Sequence, residues 1–303
     1  MRPISKSIVI AALLIFSTAN ASPVHVASEA GDIEQVRELI DSGADFDEVD
    51  FVAGSPLHIA AVRGYTEVVD LLIKHGADVD SEEFGKSDTP LHWAALGGHS
   101  LIIEKLISAG ASTDATNDYG NAPLHIATDS GHADAAQALI ELGADPLLRN
   151  QKGHTAMHLA GVAGLFEIVE LLKSKGAQQP PPKNLSAELA TASATNGEAL
   201  FMTKCVRCHV LPKEKISAEG PSLWDVVGRQ QASFEGFDYS AAFQRLDDVW
   251  SFENLNSLLA DSRNYVPGNA MSLGDATMIS KPQDRADIIS FLRLQSNAPV
   301  ALP

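Results

Sequence analysis

Between residues 23 and 177 the apolar and polar positions recur in a block of fixed length. Five short segments open with the same pattern: Pro23-Val-His-Val-Ala27, Ser55-Pro-Leu-His-Ile-Ala60, Thr89-Pro-Leu-His-Trp-Ala94, Ala122-Pro-Leu-His-Ile-Ala127 and Thr155-Ala-Met-His-Leu-Ala160. The steps from Pro23 to Pro56, Pro90, Pro123 and Ala156 are 33, 34, 33 and 33 residues. Each block also holds a second segment with apolar side chains at i, i+3 and i+4, such as Val68-Val-Asp-Leu-Leu72, which runs into a Gly-Ala pair such as Gly76-Ala77. This spacing predicts two helices per block, the second stopped by a left-handed glycine. One block cannot bury its own apolar stripe, so stacked blocks share a continuous core built from local contacts.

The period and the Thr-Pro-Leu-His-x-Ala core resemble ankyrin repeats, five of them over residues 22–177. The resemblance implies protein docking, and it implies that His25, His58, His92, His125 and His158 bond backbone between repeats rather than a metal. His99 and His132 are expected as turn residues, while Trp93, Phe51, Phe84 and Tyr119 are either packed or partner-facing.

After the last block, Gln178-Gln-Pro-Pro-Pro-Lys183 favours extended polyproline geometry, so residues 178–196 are expected to be a linker between separable domains. A different pattern begins at Gly197, where Gly197-Glu-Ala-Leu-Phe201 opens an amphipathic helix that leads to Cys205-Val206-Arg207-Cys208-His209. Two thiols at this spacing can add to the two vinyl groups of a haem while the imidazole takes the iron. A redox Cys-x-x-Cys pair and an incidental cluster are the alternatives.

Further along the chain lie Gly220-Pro221-Ser-Leu-Trp-Asp-Val-Val-Gly-Arg229, Gly236-Phe-Asp-Tyr-Ser240, Val249-Trp250, Tyr265-Val-Pro-Gly-Asn-Ala-Met271 and Asp284-Arg-Ala-Asp-Ile-Ile-Ser-Phe-Leu292. In this order the segments resemble the small soluble c-type cytochromes of the mitochondrial and alphaproteobacterial group, over residues 197–303. The expected fold class is therefore all-α: an ankyrin-repeat solenoid, then a small haem-binding helical domain. The resemblance implies one covalent haem c on Cys205 and Cys208, with His209 and Met271 as the axial pair. A thioether is among the few side chains that favour low-spin iron, and Pro267-Gly268 can turn the Met271 loop back over the ring. It also implies that the Pro221 carbonyl fixes the His209 tautomer and that Arg229, Tyr239 and Trp250 serve the propionates. Where relatives carry Tyr and Asn near the haem this chain has Leu258 and Phe243, and Asn269-Ala270 replace a Thr-Lys pair, which predicts a more apolar Met side.

Charge and the N-terminus set the context. The net charge is -17, with 22 Lys and Arg against 39 Asp and Glu, which argues against nucleic acid and anionic membranes as partners. Residues 22–196 hold 10 basic and 26 acidic side chains, while residues 197–303 are near balance, so an acidic docking face on the repeats is expected. Arg2 and Lys6, the apolar run from Ser7 to Phe16, and Ala19-Asn-Ala21 read as a signal peptide over residues 1–21. Its apolar run is shorter than the roughly 20 residues that span a bilayer. After cleavage no membrane span is expected, and the compartment is the periplasm, where the cytochrome resemblance implies that haem is attached. Cys205 and Cys208 are the only cysteines, which leaves none for a disulfide framework. The expected role is an exported one-electron carrier, not an enzyme, that meets redox partner proteins through its repeats. Haem-based peroxidase or redox and gas sensing are the alternatives.

Overall fold

The computed structural model describes residues 22–50, 53–177, 182, 184–211, 220–269 and 278–302. The expected signal segment, Phe51 and Met271 lie outside the described residues. The chain divides into two compact units, Met1–Ala177 and Gln178–Pro303.

In the first unit, ten helices come in pairs: α1 Pro23–Ala30 and α2 Ile33–Asp41, α3 Pro56–Arg63 and α4 Thr66–Lys74, α5 Pro90–Gly97 and α6 Ser100–Ser108, α7 Pro123–Asp129 and α8 Ala133–Glu141, α9 Ala156–Val162 and α10 Phe166–Ser174. Pro at the first helical position of α1, α3, α5 and α7 costs no hydrogen bond, because that N–H has no intrahelical partner. Leu57, Leu91, Leu124 and Met157, one each from α3, α5, α7 and α9, are at most 1% exposed and lie in one core with Leu72, Leu106, Leu139 and Leu172 of the second helices.

The histidine register stitches this core to the loops. His58 Nδ1 accepts from Ser55 N–H at 3.1 Å, and its Nε2–H donates to the Asp88 carbonyl of the next repeat at 2.9 Å. His92 repeats the arrangement with Thr89 and Asn121, and His125 with Ala122 and His154. Both ring nitrogens are thus engaged, so these imidazoles have no lone pair to give a metal. His99 and His132, expected as turn residues, do more: their Nε2–H groups donate to Val62 and Leu96 carbonyls of the preceding repeat at 3.0 and 3.1 Å. Trp93 is a packing residue, 8% exposed and edge-on to His58 with ring centroids 5.4 Å apart, whereas Phe84 and Tyr119 stand well exposed.

The second unit contains α11 Ser186–Ala190, α12 Ala194–Lys204, α13 Ala241–Gln244, α14 Phe252–Ala260, α15 Ser262–Tyr265 and α16 Pro282–Arg293. Two expected boundaries move. The helix before the cysteine motif opens at Ala194, three residues ahead of Gly197, because the Ser193 side chain accepts from Asn196 N–H as its N-cap. The expected linker also shortens, since Ser193 N–H donates to Asp287 Oδ1 at 2.8 Å and Gln283 Nε2 donates to the Glu188 carbonyl at 3.2 Å. These bonds dock residues 186–193 on α16, so the segment belongs to the second unit.

Helices α12 and α16 cross at Gly197. A Cβ there would collide with the Asp287 carbonyl, and it would sit 2.8 Å from Phe291 Cβ, so the crossing is closer than any side chain permits. Phe201 and Phe291 complete the contact with ring centroids 5.5 Å apart. Arg285, 4% exposed, donates from Nε to Asn256 Oδ1 at 2.7 Å and from Nη1 to the Ile279 and Ser280 carbonyls at 2.6 and 2.8 Å, tying α14 and α16 to the chain that enters α16. Among the described residues there is no sheet, only isolated bridges Asp50 to Gly54 and Gln230 to Val249, and no helix is long and apolar enough to cross a membrane.

Candidate functional site

The second unit encloses a pocket with about 940 Å³ of empty space, its mouth included. Helices α14 and α16 wall it with Leu255, Leu258, Leu259, Ile288 and Leu292, all apolar. Cys205, His209, Pro221, Arg229, Tyr239 and Trp250 also line it, so six of the eight residues singled out by sequence meet around one cavity. Half-buried Cys208 is not among the lining residues, and Met271 lies outside the described ones.

The end of α12 delivers the motif. Its last turn continues through Cys205 N–H to Phe201 O at 2.8 Å and His209 N–H to Cys205 O at 2.9 Å, which folds Cys205 and His209 onto one side of the chain. His209 is 8% exposed, and its Nδ1 lies 3.0 Å from the Pro221 carbonyl. A carbonyl has no proton to give, so Nδ1–H is the donor and Nε2 keeps its lone pair. This is the opposite tautomer to the repeat histidines. Burial lowers the His209 pKa and favours the neutral ring. Gly220 makes the approach possible, since a Cβ there would come within 2.7 Å of the His209 ring and 2.8 Å of the Cys208 carbonyl.

Burial pushes the Cys205 thiol up to about 11. A redox Cys-x-x-Cys pair needs the reverse, a depressed pKa that supplies thiolate at neutral pH. The direction at Cys205 is the opposite of that demand.

Polar groups gather where Arg229 meets Tyr239. Arg229 donates from Nη1 to the Trp224 carbonyl at 2.8 Å and from Nη2 to the Ser222 carbonyl at 3.1 Å, and its guanidinium carbon sits 5.1 Å from the Phe234 ring centre. Its buried Nε has no hydrogen-bond partner among the described residues, and neither has the buried Ser240 Oγ on the pocket wall. The Tyr239 hydroxyl accepts from Phe234 N–H at 3.3 Å, and burial raises its pKa. Trp250 is 6% exposed, packed between Phe243 and Tyr265 with centroids 6.3 and 6.2 Å away.

These residues fit a haem. A flat apolar macrocycle suits the leucine and isoleucine walls, and its carboxylates suit a cluster that holds a cation and two buried polar atoms in want of partners. Ser240 and Ser222 escaped the sequence reading because an isolated serine has neither period nor motif spacing. Asn269 was read as a lost polar contact. The structure places it 1% exposed, donating from Nδ2 to the Ser262 and Val266 carbonyls at 2.6 and 2.7 Å, so it fastens α15 to the turn after it. Phe243 and Leu258 are buried on the pocket wall, which makes that part of it apolar.

Residues 194–296 match the family model for cytochrome c, and overlapping stretches 7–83, 24–117, 57–150 and 91–183 match that for ankyrin repeats. A cytochrome c homolog of Rickettsia typhi is 42% identical over 112 residues, 37% of this chain and 62% of that protein. A cytochrome c of Gossypium barbadense is 34% identical over 116 residues, 38% of this chain and 94% of that protein. A cytochrome c homolog of Bradyrhizobium diazoefficiens is 34% identical over 132 residues, 43% of this chain and 70% of that protein. The chain spans between 61% and 65% of the length of four Rickettsia relatives.

Proposed function

The chain belongs to the cytochrome c family through its second unit and carries ankyrin repeats in its first, and from that premise we propose that it is an exported one-electron carrier that docks its redox partners through the repeats. In this reading Cys205 and Cys208 hold one haem c covalently, His209 and Met271 ligate the iron, and residues 1–21 direct export to the periplasm before removal. Bound haem c supplies one-electron cycling between ferric and ferrous iron.

The protein's own residues do the rest. His209 presents Nε2 because Pro221 engages Nδ1. The apolar walls keep water from the iron's surroundings, which strengthens every electrostatic interaction inside. Arg229, Tyr239 and Ser240 would offer a cation and hydrogen-bonding groups to the propionates, and Trp250, on the same pocket wall, packs against Phe243. If His209 and Met271 both held the iron, neither ligand position would be free for a substrate, which suits a carrier rather than a catalyst.

The carrying observation is the His209 tautomer: a buried imidazole that spends Nδ1–H on a carbonyl while lining an apolar pocket beside Cys205. The test is the mass and spectrum of the chain purified from an exporting, haem-maturing host. A mass one haem above the amino acids, with a low-spin spectrum that Met271→Ala turns high-spin, is the expected result. A colourless chain at the polypeptide mass sinks the proposal.

A further inference from the structure

Ser222 directly succeeds the residue whose carbonyl accepts from His209, and its side chain has no exposed surface. It is tied on three sides. Its Oγ–H donates to the Leu211 carbonyl across 3.3 Å, the same Oγ accepts from Trp224 N–H at 3.2 Å, and its own carbonyl accepts from Arg229 Nη2 at 3.1 Å. Next to it, Leu223 N–H donates to the Val210 carbonyl at 2.9 Å. The loop carrying Pro221 is thereby laced to the two residues that leave the cysteine motif.

The Pro221 carbonyl shares one rigid peptide plane with the nitrogen and Cα of Ser222, so whatever fixes Ser222 fixes the direction of that carbonyl. Pro221 itself has no N–H through which its plane could be held. The serine hydroxyl bonds are long and individually weak, so their effect falls on orientation more than on global stability. We propose that Ser222 is a positioning residue for the iron's histidine ligand: it aims the Pro221 carbonyl at His209 Nδ1–H and so sets how strongly Nε2 donates. A firm Nδ1–H bond gives the ring imidazolate character and favours ferric iron, and a loosened one favours ferrous iron. This inference rests on the haem reading above.

The experiment compares wild type, Ser222→Ala and Ser222→Thr holoprotein by spectroelectrochemical titration and by NMR exchange of the His209 Nδ1–H in the ferrous state. Ser222→Ala is expected to raise the ferrous-to-ferric ratio at a fixed ambient potential about threefold, the equivalent of weakening one net hydrogen bond. Its Nδ1–H is expected to exchange faster with solvent, and Ser222→Thr, which keeps the hydroxyl, to return both readings to wild type. A melting temperature that falls while potential and exchange stay unchanged overturns the proposal and leaves Ser222 a packing residue. Should Ser222→Ala fail to retain haem, Ser222→Thr decides alone: wild-type readings support the hydroxyl's role and shifted readings overturn it. Wild type without haem removes both function and inference, whereas wild type with haem and an indifferent Ser222→Ala removes only the inference.

Discussion

Gly220 shows how narrow the tolerances around His209 are. Its missing Cβ is the space the imidazole uses, with ring atoms 2.7 Å from where that carbon would stand. Gly220→Ala must therefore push either the ring or the loop aside, and overpacking of this kind costs about 1–3 kcal/mol. The expected outcome is a lower melting temperature together with loss of part of the low-spin spectrum, read on the same sample. At this scale the contiguous motif Cys205 to His209 was legible because its chemistry is encoded in adjacent positions. Pro221, Arg229, Tyr239 and Trp250 were legible through family resemblance alone, and the structure brings them to one cavity. Ser222 was not, since its partner Leu211 lies on another loop, and neither was Ser240, whose Oγ has no hydrogen-bond partner among the described residues. Asn269 was visible, but comparing it with a threonine could not show the two carbonyls that its amide reaches.

The helix pairs of the first unit were legible from period alone, because each repeat meets only its neighbours and the pattern is local. The boundaries near residue 190 were not. Ser193 caps α12 and is itself held by Asp287, far along the chain, so no local signal marks where linker becomes domain. The first helices also carry a consequence for pH. Burial lowers the pKa of His58 to about 4 and also lowers those of His92 and His125. Folded pKa values below the unfolded value of about 6.5 mean that the unfolded chain binds more protons. The stability these residues contribute is complete above about pH 6.5 and is lost as pH falls toward the folded values. At pH 5, protonation linkage at His58 alone removes about 2 kcal/mol relative to pH 7. Urea unfolding of the first unit at the two pH values, in wild type and in His58→Gln, checks this: the substitution should flatten the pH dependence.

At the scale of the molecule the charge is divided by unit and, within the first unit, by surface. The first three loops between the helix pairs, residues 44–55, 77–89 and 111–122, carry eleven carboxylates and one lysine, whereas the fourth, residues 144–155, has Asp145 beside Arg149 and Lys152. Several cations elsewhere in this unit pair with helix carboxylates: Arg37 with Glu34, Arg63 with Glu29, Lys105 with Asp70, Lys173 with Glu170 and Lys175 with Glu141, at 2.8 to 3.1 Å. Part of the loop charge is structural, since Asp47, Asp80 and Asp114 each accept a backbone N–H from the next loop at 2.9 to 3.0 Å. Glu48, Glu82 and Asp118 are different: their side chains are exposed, and Phe84 and Tyr119 stand exposed close to them in sequence. Such a surface steers a lysine- or arginine-rich protein by long-range attraction, and its aromatic rings can accept the cations on arrival. Electron exchange with a small cationic redox protein, followed by stopped flow, should therefore slow several-fold in Glu48→Gln/Glu82→Gln/Asp118→Asn at low salt, about one decade at most. The gap should close near 1 M salt, where the Debye length falls to about 3 Å. Because none of the three side chains lines the haem pocket, the reduction potential should stay at the wild-type value. A rate that ignores both the substitutions and the salt would assign docking to some other surface.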